Sequence, residues 1–294
     1  MKVAIFGNNY KKENLTLLGS LFEILKQRGI KVSMESGFCD FAERQLGTTF
    51  CDIDKIEGCD VVADMAISLG GDGTFLKTAS LVGCKEIPII GINTGRLGFL
   101  ADIASTDIVG PLNRILDGDY VVEEHTALEL DCGCNSKFEG RMVALNEIAV
   151  LKQDSSSMIT IQTELDDQHL VDYQADGLII ATPTGSTAYS MSNGGPLVMP
   201  DAHNIILTPV APHSLTIRPL VVTDDSVLKL RVTSRTNSFL CSIDGRSELF
   251  KECVELKISK AKHVVKVIKQ HEGSFLNTLK SKLMWGVDKR PALK

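Results

Sequence analysis

The sequence predicts an α/β domain built on a parallel sheet, followed by an all-β, sandwich-like domain, with a terminal helix packing back on the first. Three observations carry this. Over residues 2–100 short apolar runs alternate with helix-spaced runs. After residue 100 strand-like runs follow one another across polar turns, with no long amphipathic helix between them. One apolar run, Ala66-Ile67-Ser68-Leu69, ends abruptly in Gly70-Gly71-Asp72-Gly73, and a helix-compatible run follows at once. The first pattern points to a parallel sheet covered by helices, the second to an antiparallel sandwich or barrel.

In order, Val3-Ala4-Ile5-Phe6 reads as a buried strand ending in Gly7-Asn8-Asn9. Leu18, Phe22 and Leu25 recur at helical spacing, and Arg28-Gly29 stops that helix. Lys31–Glu35 fits a second strand, Val61–Leu69 leads into the glycine turn, and Pro88–Ile92 makes a further strand. A Rossmann-like sheet of this kind binds ligands beyond the C-terminal ends of its strands. Two glycine-bearing turns would sit there: the one at Asp72, and Asn93-Thr94-Gly95-Arg96-Leu97-Gly98-Phe99-Leu100. The second is either a plain loop or part of a site. Beyond it, Val121–His125, Met142–Lys152, Met158–Leu165 and Val227–Val232 are strand-like, and His263–Ile268 looks like a last strand. Phe275, Leu279 and Leu283 then return at helical spacing, followed by Trp285. The expected division is an α/β domain over 1–100, completed by 270–294, and a β-rich domain over 101–269.

Lys and Arg number 31 against 37 Asp and Glu, a net charge of −6, which argues against nucleic acid as an electrostatic partner. No apolar run approaches the ~20 residues of a membrane span. Met1–Gly7 reads as a strand rather than a signal peptide, so the cytoplasm is the expected setting. The eight cysteines, at 39, 51, 59, 84, 132, 134, 241 and 253, include no Cys-x-x-Cys pair. They read as reduced thiols, and no resident metal site is expected.

Glycines let the backbone turn tightly and approach a ligand, and a strand delivering such a turn to a helix N-terminus aims N–H groups at an anion. Gly70, Gly71, Gly73 and Thr74 are therefore candidate phosphate ligands. Asp72 is awkward as one, and its carboxylate suits a metal ion or a proton taken from a hydroxyl. The pattern is neither Gly-x-Gly-x-x-Gly nor the Walker loop. Asn146-Glu147 sets an amide beside a carboxylate; the amide donates and accepts, and the carboxylate can hold two ribose hydroxyls, a pairing suited to a nucleoside. From Asp176-Gly177 an apolar strand runs into Thr182-Pro183-Thr184-Gly185-Ser186-Thr187-Ala188-Tyr189-Ser190-Met191-Ser192. That turn offers hydroxyls, backbone donors and one aromatic face for a base. Asp244, in Ser242-Ile243-Asp244-Gly245-Arg246, is a turn residue or a second binding carboxylate.

Gly70-Gly71-Asp72-Gly73-Thr74 resembles the signature shared by NAD kinases, lipid kinases of the diacylglycerol and sphingosine type, and 6-phosphofructokinases. With Asn146-Glu147, Asp176-Gly177 and the Thr182–Tyr189 turn added, the chain closely resembles the bacterial NAD kinases from its first strand to its last helix. That resemblance implies transfer of the ATP γ-phosphate to the 2′-hydroxyl of the adenosine ribose of NAD, with Mg²⁺ or another divalent metal arriving with ATP. It implies Asp72 as catalytic base, with Asp72 and Gly73 contacting the dinucleotide and Gly70, Gly71, Gly73 and Thr74 the ATP phosphates. Asn146 and Glu147 would hold the nucleotide, Asp176 the nicotinamide end, and Thr187, Ala188, Tyr189, Ser190, Met191 and Ser192 the adenosine. Phe99 would pack near the adenine, and Lys77 and Ala211 would be further NAD contacts. It also implies a homotetramer or homodimer, and neither a membrane nor a nucleic acid as partner. Two stretches depart from the family: Gln174-Ala175-Asp176 stands for the usual Arg-Gly-Asp, and Asp244-Gly245-Arg246 for Asp-Gly-Gln. A kinase with another acceptor, such as a lipid, is the rival enzyme; a dinucleotide-binding regulator without chemistry is the rival of another class.

Overall fold

The computed structural model describes residues 1–8, 13–95, 98–101, 103–133, 138, 142–154, 157–271 and 275–285, with the backbone alone at 13 and 14. Strands β1 (Lys2–Gly7), β2 (Lys31–Glu35), β3 (Asp54–Ile56), β4 (Met65–Leu69) and β5 (Ile89–Asn93) lie parallel in the order β3-β2-β1-β4-β5. Helices α1 (Glu13–Gln27), α2 (Ser36–Leu46) and α3 (Asp72–Val82) connect them. Every residue of β4 and β5 is buried, as a parallel sheet covered on both faces requires. Leu18, Leu21 and Leu25 of α1 pack into one core with Ile5, Ile67 and Ile90. The strand order reverses between β1 and β4, and the crevice at such a reversal, beyond the carboxyl ends, is where ligands sit. The glycine turn leaves β4 at that point.

Several elements stand where the sequence pattern did not put them. Val121–His125 is an edge strand of the first sheet, and Val265–Lys269 runs parallel to β5, pairing Val267 with Ile89. Ile268 joins the first core, which explains the placement. A short helix, α4 (Val109–Leu116), follows residue 100; its buried Leu112 and Ile115 join the same core. By packing, one unit therefore comprises Met1–Thr78, Ile87–Glu123 and the C-terminal residues from Val267; the other comprises Ala79–Glu86 and Glu124–Lys266.

The second unit is a sandwich of two six-stranded antiparallel sheets among the described residues. One has the order Leu220–Thr223, Asn204–Val210, Gly177–Ala181, Glu147–Lys152, Ser238–Ile243, Arg246–Lys251. The other has Gln168–Ala175, Ile159–Leu165, Leu228–Thr233, Leu256–Lys260, Leu128–Asp131, Val143–Ala144. Burial alternates along Ser238–Ile243 and Leu228–Thr233, so each strand sends every second side chain inward. Val150, Ile180 and Phe239 from one sheet share a core with Leu130, Ile161 and Leu230 from the other. Two further helices are short: α5 (Tyr189–Ser192) and α6 (Phe275–Leu283). Among the described residues no helix is long and apolar enough to cross a membrane.

Candidate functional site

In the first unit, Gly70 N–H donates to the Ile92 carbonyl at 2.9 Å, and α3 begins two residues later, at Asp72. The amides of Thr74 and Phe75 both donate to the Gly71 carbonyl, at 3.0 and 3.1 Å, closing the turn. Asp72 is thus the first residue of a helix. Its carboxylate reaches back to the second glycine turn: Oδ2 accepts from Phe99 N at 2.8 Å, and Oδ1 from Leu100 N at 3.0 Å and Ala101 N at 3.3 Å. Gly98 makes this approach possible, because a Cβ there would lie 1.7 Å from Asp72 Oδ1. The two turns that the sequence left as separate candidates are one structure, joined by Asp72. Within the second turn, Asn93 Oδ1 accepts from Gly95 N at 2.8 Å, folding the loop back on its own strand end. Lys77 is half-exposed and pairs with Glu35 Oε1 at 3.2 Å, while Glu35 Oε2 caps α2 at Phe38 N, 2.8 Å away.

In the second unit, Glu147 opens its strand and Asn146 immediately precedes it. The amides of Leu145, Asn146 and Glu147 all donate to the Asp244 carboxylate, at 2.7, 2.8 and 3.1 Å. Asp244 and Gly245 form the two-residue turn between Ser238–Ile243 and Arg246–Lys251, with φ of 48° and 80°. Asp-Gly suits such a turn because both central residues need positive φ. Asp244 is therefore a turn residue whose side chain fixes the Asn146-Glu147 backbone, a role with no local signature because 97 to 99 residues separate the partners. The hydroxyl-rich turn is laid against the same backbone. Thr182 N donates to the Asn146 carbonyl at 2.9 Å, Thr182 Oγ1 to the Leu145 carbonyl at 2.5 Å, and Gly185 N to Thr182 Oγ1 at 3.0 Å. A Cβ on Gly185 would stand 2.0 Å from the Asn146 carbonyl oxygen.

Thr184–Thr187 is a short 3₁₀ turn, followed by α5. Tyr189 donates its backbone N–H to the Glu147 carboxylate, and the residue is 38% exposed. Glu147 Oε2 is buried and has no hydrogen-bond partner. Buried His125, which the sequence pattern did not single out, holds Thr184 Oγ1 through Nδ1 at 2.7 Å. Ser190 faces inward and pairs with Thr208 Oγ1 at 2.8 Å, whereas Met191 and Ser192 reach the surface in part. Thr187 Oγ1 donates to the Thr184 carbonyl at 3.2 Å. Asp176 pairs with Lys152 at 2.7 Å, and its amide donates to the Val210 carbonyl at 2.9 Å, beside Ala211, whose φ is 44°. The fold thus gathers Asn146, Glu147, Thr187 and Tyr189 around one strand start, and Asp176 and Ala211 at another strand end.

Burial, and then the charge of Asp244, push the Glu147 carboxyl up to about 7, against the Tyr189 N–H that favours its charged form. Burial likewise raises Asp244, against the pull of its three amides and of Arg246. A folded state that keeps the Glu147 proton, where the unfolded chain releases it, is favoured at acid pH; that contribution is lost as pH rises through about 7. Between roughly pH 5 and 8 the ligand-free protein is expected to lose more melting temperature than the Glu147→Gln variant does. Identical pH dependence of the two melting curves would contradict the assignment.

Residues 3–120 match the model of the ATP-NAD kinase N-terminal domain, and residues 145–270 that of the ATP-NAD kinase C-terminal domain. The NAD kinase of Bacteroides fragilis (strain ATCC 25285) is 48% identical over 290 residues, covering 99% of this chain and all of that protein. The NAD kinase of Porphyromonas gingivalis (strain ATCC 33277) is 41% identical over 287 residues, 97% of this chain and 98% of that protein. Among solved structures, yeast NADH kinase complexed with NADH has a TM-score of 0.85 at 22% identity, over 99% of this chain and 89% of that one. An NAD kinase from Archaeoglobus fulgidus in complex with ATP has a TM-score of 0.75 at 24% identity, over 97% and 99%. Those two structures share the fold. The matched domains and the nearly full-length relatives together establish that this chain belongs to the ATP-NAD kinase family.

Proposed function

We propose that the chain transfers the γ-phosphate of ATP to the 2′-hydroxyl of the adenosine ribose of NAD, forming NADP and ADP. The observation that carries this reading is the buried, unpartnered Oε2 of Glu147 beside Asn146. A buried polar atom without a partner is costly, and a nucleoside hydroxyl is the donor this one lacks. Asn146 and Glu147 then hold the sugar, Tyr189 offers its ring to a base, and Thr187, Ala188, Ser190, Met191 and Ser192 shape the adenosine pocket. Asp176 and Ala211 serve the nicotinamide end, and Lys77 and Phe99 are further dinucleotide contacts.

Asp72 is the general base in this reading. A ribose hydroxyl is a weak nucleophile, and a carboxylate within ~3 Å of its proton assists attack. Three amides occupy part of the Asp72 carboxylate, yet two oxygens offer about four lone-pair positions, so the hydroxyl proton still has a place to go. As the bond from O2′ to the γ-phosphorus forms, the bond to the β-phosphate oxygen breaks, and ADP leaves with that electron pair. Gly70, Gly71, Gly73 and Thr74 present the start of α3 to the phosphates, where backbone N–H groups favour negative charge. The divalent metal is read as arriving with the donor, as MgATP, which is what the family resemblance implies.

The setting proposed is the cytoplasm, in keeping with the unbridged thiols of Cys51, Cys84 and Cys253 at the surface. The assembly proposed is a homotetramer or homodimer, as the family resemblance implies. The test is an acceptor panel with the purified protein, Mg²⁺ and equal ATP. NAD is expected to be phosphorylated, read by an NADP-specific dehydrogenase, while diacylglycerol and fructose 6-phosphate gain no labelled phosphate. A site built to pair polar groups rejects acceptors that leave them unpaired by ~10⁴-fold. Label in lipid or sugar with NAD untouched would overturn the reading.

A further inference from the structure

Two of the three residues whose amides hold Asp72, Phe99 and Leu100, are also gripped by the C-terminal segment. Lys269 Nζ donates to the Leu100 carbonyl at 3.4 Å. The Phe275 ring meets the Phe99 ring at 6.2 Å between centroids, tilted by 44°. Lys282 brings its buried ammonium to 4.6 Å from the centroid of the same Phe99 ring. Phe275, Leu279 and Lys282 recur at i, i+4 and i+7 and so share one face of α6, with Leu279 buried between the other two. Phe99 is therefore held by its amide on Asp72 and by its ring on α6; Leu100 is held by its amide on Asp72 and by its carbonyl on Lys269.

We propose that α6, with Lys269, is a positioning element for Asp72: by clamping Phe99 and Leu100 it sets where the amides point, and so where the carboxylate sits. A carboxylate bound by three amides of one short segment follows that segment when it moves. Displacements of about 1 Å are enough to cost large factors in rate when the reacting groups must align. Lys282 suits the task because a cation over an aromatic face is attracted by the ring itself, more strongly when both are withdrawn from water. The inference rests on Asp72 being the base.

The test compares kinetics and amide hydrogen exchange in the full chain carrying Lys282→Met, Phe275→Leu, Lys282→Arg or Asp72→Asn, with Lys280→Met, exposed on the same helix, as control. Lys282→Met and Phe275→Leu are expected to lower kcat about tenfold with KM for ATP unchanged, and to speed exchange at residues 99–101 about tenfold. Lys282→Arg, which keeps the cation over the ring, is expected to recover both to within about twofold, and Lys280→Met to match the parent. Unchanged kcat and exchange in Lys282→Met and Phe275→Leu, with Asp72→Asn inactive, would overturn the positioning role and leave Asp72 as base. Faster exchange in those two variants with Asp72→Asn fully active would support the clamp and remove Asp72 from the chemistry.

Discussion

Asp72→Asn is expected to cut kcat by ~10²-fold or more while NAD still binds, the usual scale for losing a general base. The change keeps the shape of the side chain and removes its capacity to take a proton. It also places an NH₂ group where the carboxylate now accepts from Phe99, Leu100 and Ala101, so one donor meets another. An unpaired buried donor costs about 1–3 kcal/mol, and melting temperature is expected to fall as well. The two effects separate. If Asp72 served only to anchor residues 99–101, the variant would be less stable but would turn over normally per folded molecule. Near-normal kcat measured below its melting point would return Asp72 to that structural role.

Gly98→Ala is expected to be as damaging, by a different route. Its added Cβ would lie 1.7 Å from Asp72 Oδ1 and 2.4 Å from Cγ, far inside van der Waals contact. Either the carboxylate swings away or residues 98–101 move off it, and both break the triple hydrogen bond. Since misplacement of about 1 Å costs on the order of 10²-fold in rate, activity is expected to fall by at least that factor. Gly98 is half-buried and the added Cβ would meet Asp72 rather than the apolar core, so the protein is expected to remain folded. A folded Gly98→Ala variant with parental kcat would show that the observed Asp72 geometry is dispensable.

Both predictions depend on a contact that only part of the sequence announced. The strands, the helix after Asp72 and the two glycine turns were legible because strong apolar runs stop sharply at glycine, as at Leu69-Gly70 and Ile92-Asn93. Helical spacing in Phe275, Leu279 and Leu283 likewise found α6. What stayed hidden was pairing across long separations. Nothing local tells Asp72 that its partners are amides 27 to 29 residues on. Nothing tells Asp244 that it will hold the Asn146-Glu147 backbone. Helix α2 escaped because its starting cap is Glu35, an uncommon one, and its buried face is only Phe38, Cys39 and Ala42. Val121–His125 looked like part of the β-rich domain because a strand's own residues do not say which sheet it will join.

A kinase that uses the 2′-hydroxyl of NAD makes a 2′-phosphorylated dinucleotide, and the position of the new phosphate can be read from the product. Purified protein is incubated with NAD, ATP and Mg²⁺, and the new phosphate is located by phosphorus–proton correlation on the isolated product. A monoester coupled to the 2′ proton of the adenosine ribose is expected, absent when Asp72→Asn replaces the parent. A phosphate on the 3′ position, on the nicotinamide ribose, or on no part of NAD would contradict the 2′ assignment.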